Sequence, residues 1–177
     1  MIKNVINIVI KIEGGINMSN EKDITVDIAD HKLNVRAAGI IIHNGKVLVH
    51  KNINETYYAL VGGRVQVGES SADTVIREIF EELGKKVEIT GYVATIENFF
   101  GFRNSNYHEI LFVHRAEFIE NEDKKIEETI KNIEGREFLQ YEWLDLDKID
   151  EYEIRPAVMK KVLKEKNWPV HVVNDDR

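Results

Sequence analysis

Three glutamates, Glu78, Glu81 and Glu82, stand at positions i, i+3 and i+4 of a stretch with helical patterning. Such positions are neighbours on a helix surface, so the three carboxylates crowd together. Like charges that close disfavour the helix unless a cation sits among them. A hard divalent ion with oxygen ligands, Mg²⁺ above all, suits this donor set. The plainer reading is a solvated acidic face, the ordinary role of paired glutamates on an exposed helix. The residues around them decide between the two.

The helix that must carry these acids is written between Gly63 and Val87. Ala72, Val75, Ile76, Ile79, Phe80 and Leu83 recur at helical spacing and predict one apolar stripe, with the acids off it. Ser70 or Ser71 suits the N-cap, and Asp73 follows Ser70 at capping-box spacing. Gly84 suits the left-handed residue that ends a helix. Upstream, residues 24–28 read as a short strand. Residues 35–43 and 46–50 read as clearer strands joined by Asn44-Gly45, the strongest two-residue hairpin signal. Residues 57–61 lead into Gly62-Gly63.

Downstream of the helix, residues 87–97 and 109–118 read as two long strands, with a loop between them that holds Phe99, Phe100, Arg103 and Tyr107. The charged residues 120–135 read as a solvated helix or an insertion, and 138–144 as a strand. Pro156 fits the first turn of a last helix that carries Val158, Met159, Val162 and Leu163. Strands alternating with helices predict an α/β chain with a mixed β-sheet.

From Gly63 onward the residues fit the pattern G-x5-E-x7-R-E-U-x-E-E-x-G-U, where U is a bulky aliphatic. Gly63, Glu69, Arg77, Glu78, Ile79, Glu81, Glu82 and Gly84 fall in register. In this the chain resembles the Nudix hydrolases, whose signature box this is. A chance match of the seven identity-fixed positions is on the order of 10⁻⁹ to 10⁻⁸ per starting point. Lys85 departs from the final aliphatic position, which touches packing rather than metal chemistry. The resemblance covers residues 34–164 and implies a Nudix-type α/β/α sandwich.

The resemblance also implies roles. Glu78, Glu81 and Glu82 would bind Mg²⁺, with Mn²⁺ as a substitute, and the carbonyl of Gly63 would join them. Glu69 and Arg77 look like the pair that ties loop to helix, a geometry that a bidentate Arg–carboxylate contact fixes well. The implied reaction is hydrolysis of a diphosphate linkage in a nucleoside diphosphate derivative or a nucleoside triphosphate. Glu82 is a candidate to accept the proton of the attacking water, and Glu127, Glu128, Glu134 and Glu137 are alternatives. For substrate contact, Phe99, Phe100 and Tyr107 have rings that could stack on a base, while Arg103 could meet phosphate. The competing reading of the phenylalanines is core packing. His108 and His114 read as ordinary strand residues, because His114 arrives too late for H-E-x-x-H.

Departures from the family's branches narrow the substrate. Val61 replaces the proline that usually precedes the paired glycines, and Gln66 stands where many relatives have a glutamate. Proline occurs only at Pro156 and Pro169. The proline of typical ADP-ribose hydrolases, about 16 residues past the box, is therefore missing. Arg103 lies near the place where dinucleoside polyphosphate hydrolases carry tyrosine.

Composition sets the remaining bounds. With 177 residues there is room for one domain with a substantial core. A formal net charge of −7 argues against a broad nucleic-acid surface, and so against a third reading, an RNA 5′-end hydrolase. There is no cysteine, which suits a reducing cytoplasm. Residues 1–17 are rich in isoleucine and valine but broken by Lys3, Lys11 and Glu13. The segment is too short for a membrane span and lacks a signal-cleavage pattern. It reads either as a mis-called start, with the natural chain beginning at Met18, or as an extra strand or interface segment. Residues 18–177 read as a single Nudix hydrolase domain that takes a nucleotide as small-molecule substrate. The resemblance admits a homodimer. A reading from another class is a nucleotide-sensing module that keeps the fold and has lost catalysis.

Overall fold

A computed structural model describes residues 22–119, 135, 137–165 and 167–177. Period-two patterning near the start of this region builds strand β1 (Thr25–Ile28) antiparallel to β2 (His31–Ile40). After β2 the Asn44-Gly45 pair takes positive φ at both residues, 49° and 74°. That is the turn expected of this dipeptide, and it joins β3 (Ile42–His43) to β4 (Lys46–Asn52). Strand β5 (Ala59–Arg64) contains the glycine pair and leads into helix α1 (Ser71–Leu83).

Then come β6 (Val87–Phe102) and β7 (Ser105–Phe118), which form an antiparallel pair. The chain continues through β8 (Leu139–Asp145), a 3-10 turn at Leu146–Glu151, helix α2 (Met159–Lys164) and β9 (Val170–Asp176). The strands lie in the order β3-β4-β5-β2-β7-β6-β9, with β1 also on β2 and β8 also on β4. Two of the pairings, β2 with β7 and β6 with β9, are parallel, and the rest are antiparallel. The sheet is mixed, as expected.

Helices cover both faces. The end of β2 and the residue after it are buried, from Ala37 to Ile41, and alternation sends their side chains to opposite sides. Ala37 and Ile41 pack with Leu48, Val61, Val75, Ile79 and Leu83 beneath α1. Ala38 and Ile40 pack with Val47, Val49, Met159 and Val162 beneath the 3-10 turn and α2. Gly39 brings α1 close to the sheet, since a Cβ there would lie 3.0 Å from Val75 Cγ1 and 3.3 Å from Ile79 Cδ1. The layers are those of an α/β/α sandwich.

Several expectations need correction. Strands β6 and β7 run well past their expected ends, so the expected loop shrinks to Arg103 and Asn104, which take positive φ of 46° and 65°. Cross-strand pairs stabilise the extension: Phe100 and Tyr107 stack at 4.9 Å between centroids, with ring planes 8° apart. Strand β9 was not foreseen. Helix α2 begins at Met159, and Pro156 precedes it in a turn where its carbonyl accepts from Met159 N at 2.9 Å. The expected features at residues 1–17 and 120–134 lie outside the described residues. Among the described residues no helix is long and apolar enough to cross a membrane.

Ile79 is fully buried between α1 and β2. Replacing it with alanine should lower stability by about 2–5 kcal/mol, read as a shift in the urea midpoint at unchanged m-value. A loss below about 0.5 kcal/mol would contradict the packing described.

Candidate functional site: a helix of acids beside a glycine strand

Helix α1 is capped at both ends. Asp73 N donates to Ser70 Oγ at 3.1 Å, so Ser70 is the N-cap. Ser71 faces elsewhere, with its Oγ 2.9 Å from His114 Nε2. Gly84 takes φ 63° and its N–H bonds to Phe80 O at 2.9 Å. Between the caps the helix is rotated relative to the expected stripe. Its buried residues are Thr74, Val75, Ile79, Glu82 and Leu83, while Phe80 is 51% exposed and Ile76 37%. The rotation draws acids toward the sheet: Glu82 is 2% exposed and the Glu78 side chain 12%, while that of Glu81 is 46% exposed. A solvated acidic face does not describe Glu78 and Glu82.

Arg77 ties these parts together. Its Nε and Nη2 donate to the two oxygens of Glu69 at 2.7 and 3.0 Å, a bidentate contact across the loop that enters α1. Nη1 reaches Glu78 Oε1 at 2.7 Å and Glu81 Oε2 at 3.0 Å, and Nη2 also bonds the Arg64 carbonyl at 3.0 Å. Glu69 accepts in addition from Thr74 Oγ1 at 2.8 Å and Gln66 N at 3.2 Å. The Arg77 contact, with these bonds behind it, holds the Glu69 carboxyl down at about 2, from an ordinary 4.5. Glu69, and after it Glu78, in turn raise the Arg77 guanidinium.

Glu78 is displaced the other way. Burial pushes its carboxyl above the ordinary value against the pull of Arg77. The reason is local: the carboxylate rests against Gly63, where any Cβ would overlap it. Gly62 is equally constrained, since a Cβ there would fall 2.7 Å from Ala38 Cα and closer still to the Ala37 carbonyl. Glu82 is buried toward β4, its Oε2 3.9 Å from His50 Nδ1.

As placed, Arg77 spans Glu78 and Glu81. Among the described residues no three carboxylate or imidazole groups converge into a metal cage. The donor set nevertheless fits a hard dication. It is all oxygen, its members border one cleft, and Gly63 lines the same cleft with the Glu78 carboxylate seated on it.

That cleft has a volume of about 700 Å³ and runs from the three acids across the sheet to Asn34 and Glu109. Of the expected substrate residues, Phe100 and Tyr107 line it. Phe99 instead packs on His108 at 4.4 Å, with the Arg177 guanidinium 4.7 Å above its ring. Arg103 sits at the hairpin tip over Phe102, 5.0 Å from the ring centroid. Of the alternative proton acceptors, Glu137 is exposed, and Glu127, Glu128 and Glu134 lie outside the described residues. Sequence reasoning missed Arg36, His50, Tyr57 and Phe102, which also line the cleft. For Arg36 and Phe102 the one signal is strand parity: Asn34 and Arg36 are two apart on β2, as are Phe100 and Phe102 on β6.

The model of the NUDIX domain matches residues 33–165. A sequence comparison with curated proteins finds no match. Among solved structures the chain resembles a MutT protein from Bacillus halodurans, at TM-score 0.59 and 19% identity over 81% of this chain and 91% of that one. It also resembles a MutT protein from Methanosarcina mazei Go1, at TM-score 0.53 and 21% identity over 82% and 94%. A third is an ADP-ribose pyrophosphatase from Streptococcus suis 89-1591, at TM-score 0.52 and 16% identity over 78% and 98%. At these identities the likeness is one of fold.

The Glu69–Arg77 contact sets a pH dependence. Because the folded carboxyl lies near 2 and the ordinary value is 4.5, its stabilisation is complete above about pH 5. It is lost as the pH falls from there through 2. Glu69→Gln should therefore cost about 1.5–3 kcal/mol at pH 7, with the gap to wild type closing below pH 4 in urea unfolding. A gap constant from pH 7 to pH 2.5 would contradict the assignment.

Proposed function

The chain belongs to the NUDIX domain family of hydrolases, and from that premise we propose that it cleaves a diphosphate linkage in a nucleoside diphosphate derivative or a nucleoside triphosphate. The observation that carries this reading is the burial of Glu78 and Glu82 at the end of one cleft, with Glu78 seated on Gly63. Carboxylates are withdrawn from water at a cost unless a cation or strong donors meet them.

Mg²⁺, or Mn²⁺ in its place, would be held by Glu78, Glu81 and Glu82 with the Gly63 carbonyl. When bound, the ion supplies positive charge against the phosphates and lowers the pKa of a water molecule. The chain's own residues do the rest. Arg77 and Glu69 are positioning residues that fix the loop against α1, so that the acids and the glycine strand keep one geometry. Glu82 accepts the proton as water attacks phosphorus and the bridging P–O bond breaks. Phe100 and Tyr107 offer a flat wall to the base. Arg36, whose Nη2 donates to the Gly62 carbonyl at 3.3 Å, supplies a cation at the cleft floor for phosphate. Phe99 acts behind this wall through packing, and Arg103 reaches substrate only from the hairpin tip. A chain without cysteine and with a nucleotide substrate belongs in the cytoplasm on this reading.

Glu81→Gln and Glu82→Gln should each lower turnover by about 10²-fold or more while leaving the far-UV circular dichroism unchanged. The assay is a panel of nucleotides and nucleotide sugars with Mg²⁺ and Mn²⁺, the products identified to locate the broken bond. Wild-type turnover in either variant would refute the roles assigned. Tight nucleotide binding with no hydrolysis at any metal concentration would instead favour the sensing module.

A further inference from the structure

A line of hydrogen-bonded side chains, all buried except the half-buried Thr25, crosses the sheet beside the cleft. Thr25 Oγ1 donates to Asn34 Oδ1 at 3.0 Å, and Asn34 Nδ2 donates to Glu109 Oε2 at 3.0 Å. From the other side Asn174 Nδ2 donates to Asn98 Oδ1 at 2.9 Å, and Asn98 Nδ2 to Glu109 Oε1 at 3.1 Å. The line runs through five adjacent strands, β1, β2, β7, β6 and β9, and ends inward on one carboxylate. Glu109 is 3% exposed, Asn34 4% and Asn98 5%.

Val158 N donates to Asn174 Oδ1 at 3.3 Å, so Asn174 turns its amino group to the Asn98 oxygen and the Asn98 amino group faces Glu109. On the other side the Thr25 hydroxyl donates to the Asn34 oxygen, and the Asn34 amino group faces Glu109. Glu109 is thereby held as an acceptor on both oxygens, and a carboxylate has about four acceptor sites, of which the amides take two. It borders the far end of the main cleft and also a second chamber of about 300 Å³, walled by Tyr57, Phe100 and Phe102. Arg36 Nη1 stands 4.0 Å away, at the boundary between this end and the acids of α1. The main-chain ladder already joins these strands, and a neutral side chain would serve a purely structural link at lower desolvation cost.

We propose that Glu109, oriented by Asn34 and Asn98, is a specificity-determining residue that receives two adjacent N–H or O–H donors of the nucleotide. The inference rests on the hydrolase reading for its ligand class, but the contact itself needs neither metal nor bond cleavage. Two parts of a nucleotide carry such a pair. One is the guanine edge, with N1–H beside the 2-amino group; the other is the 2′,3′-diol of ribose. Adenine and cytosine place an amino group beside a ring acceptor, which a carboxylate repels, and uracil offers a single N–H between two carbonyls. The rings of Phe100 and Phe102 suit either a base or the face of a sugar.

Calorimetric titration in metal-free buffer, with the monophosphates of guanosine, inosine, adenosine and 2′-deoxyguanosine, tests this. Inosine lacks only the 2-amino donor, and the deoxy compound lacks only one hydroxyl. If the base is read, the guanosine and deoxyguanosine compounds bind alike, and the inosine and adenosine compounds bind about tenfold or more weaker. If the sugar is read, the three ribonucleotides bind alike and the deoxy compound is weaker by a similar factor. In either case Glu109→Gln should flatten the series, with its thermal unfolding recorded alongside. Glu109→Asp, which withdraws the carboxylate by one methylene, should reduce the same discrimination and serves where the glutamine variant does not fold. Equal affinity for all four ligands, no measurable binding of any, or discrimination unchanged in a folded variant would overturn the proposal. Hydrolysis assayed separately with Mg²⁺ tells a failure of this contact from a failure of the hydrolase reading.

Discussion

One planar cation holds the site in shape. Arg77 meets Glu69 through two parallel hydrogen bonds and with the same guanidinium reaches Glu78, Glu81 and the Arg64 carbonyl. The loop before α1, the helix itself and the end of β5 are thereby locked into one arrangement. A lysine would keep the charge but lose the fork that makes the Glu69 contact bidentate. Glutamates at i, i+3 and i+4 repel one another, and part of that repulsion is answered from within the helix by Arg77. Glu81, the most exposed of the three, shares a single nitrogen of Arg77 with Glu78.

The placement of the acids follows from packing. Val75, Ile79 and Leu83 bury against β2, and Gly39 lets the helix come close. Positions 78 and 82 flank those residues on the helix surface, so burying the apolar edge carries two carboxylates inward with it. The sheet makes room: Gly63 pairs with Ala37 and Gly62 with Ala38, and neither glycine has space for a Cβ. The burial that raises the Glu78 carboxyl is therefore a consequence of the same contacts that stabilise the fold.

Much of this was legible in the chain alone, because local chemistry wrote it. Ser70, Gly84 and Asn44-Gly45 act over three or four residues, and all three behave as expected. The pairing of Glu69 with Arg77 came from a motif and appears as a contact. The rotation of α1 was not legible, since Ile76 and Phe80 fit the stripe by spacing, and only the sheet decides which apolar residues are covered. The continuation of β6 and β7 was hidden for a related reason. Phe99-Phe100-Gly101 and Asn104 carry turn-forming residues, and only the opposite strand shows that Phe100 has Tyr107 to stack on. Glu109 and its amides come from strands far apart in sequence, as much as 76 positions for Asn98 and Asn174. No local pattern could assemble them.

On the hydrolase reading, the buried edge of α1 and the Gly63 strand must together hold a divalent ion. The most direct measurement is Mn²⁺ binding followed by electron paramagnetic resonance, on the wild-type chain and on Glu78→Gln, without any nucleotide. Saturable loss of the free-ion signal is expected in the wild type, with affinity weakened by about tenfold or more in the variant. A wild-type chain that leaves the free-ion signal unchanged, or a variant that binds as tightly as wild type, would contradict that reading.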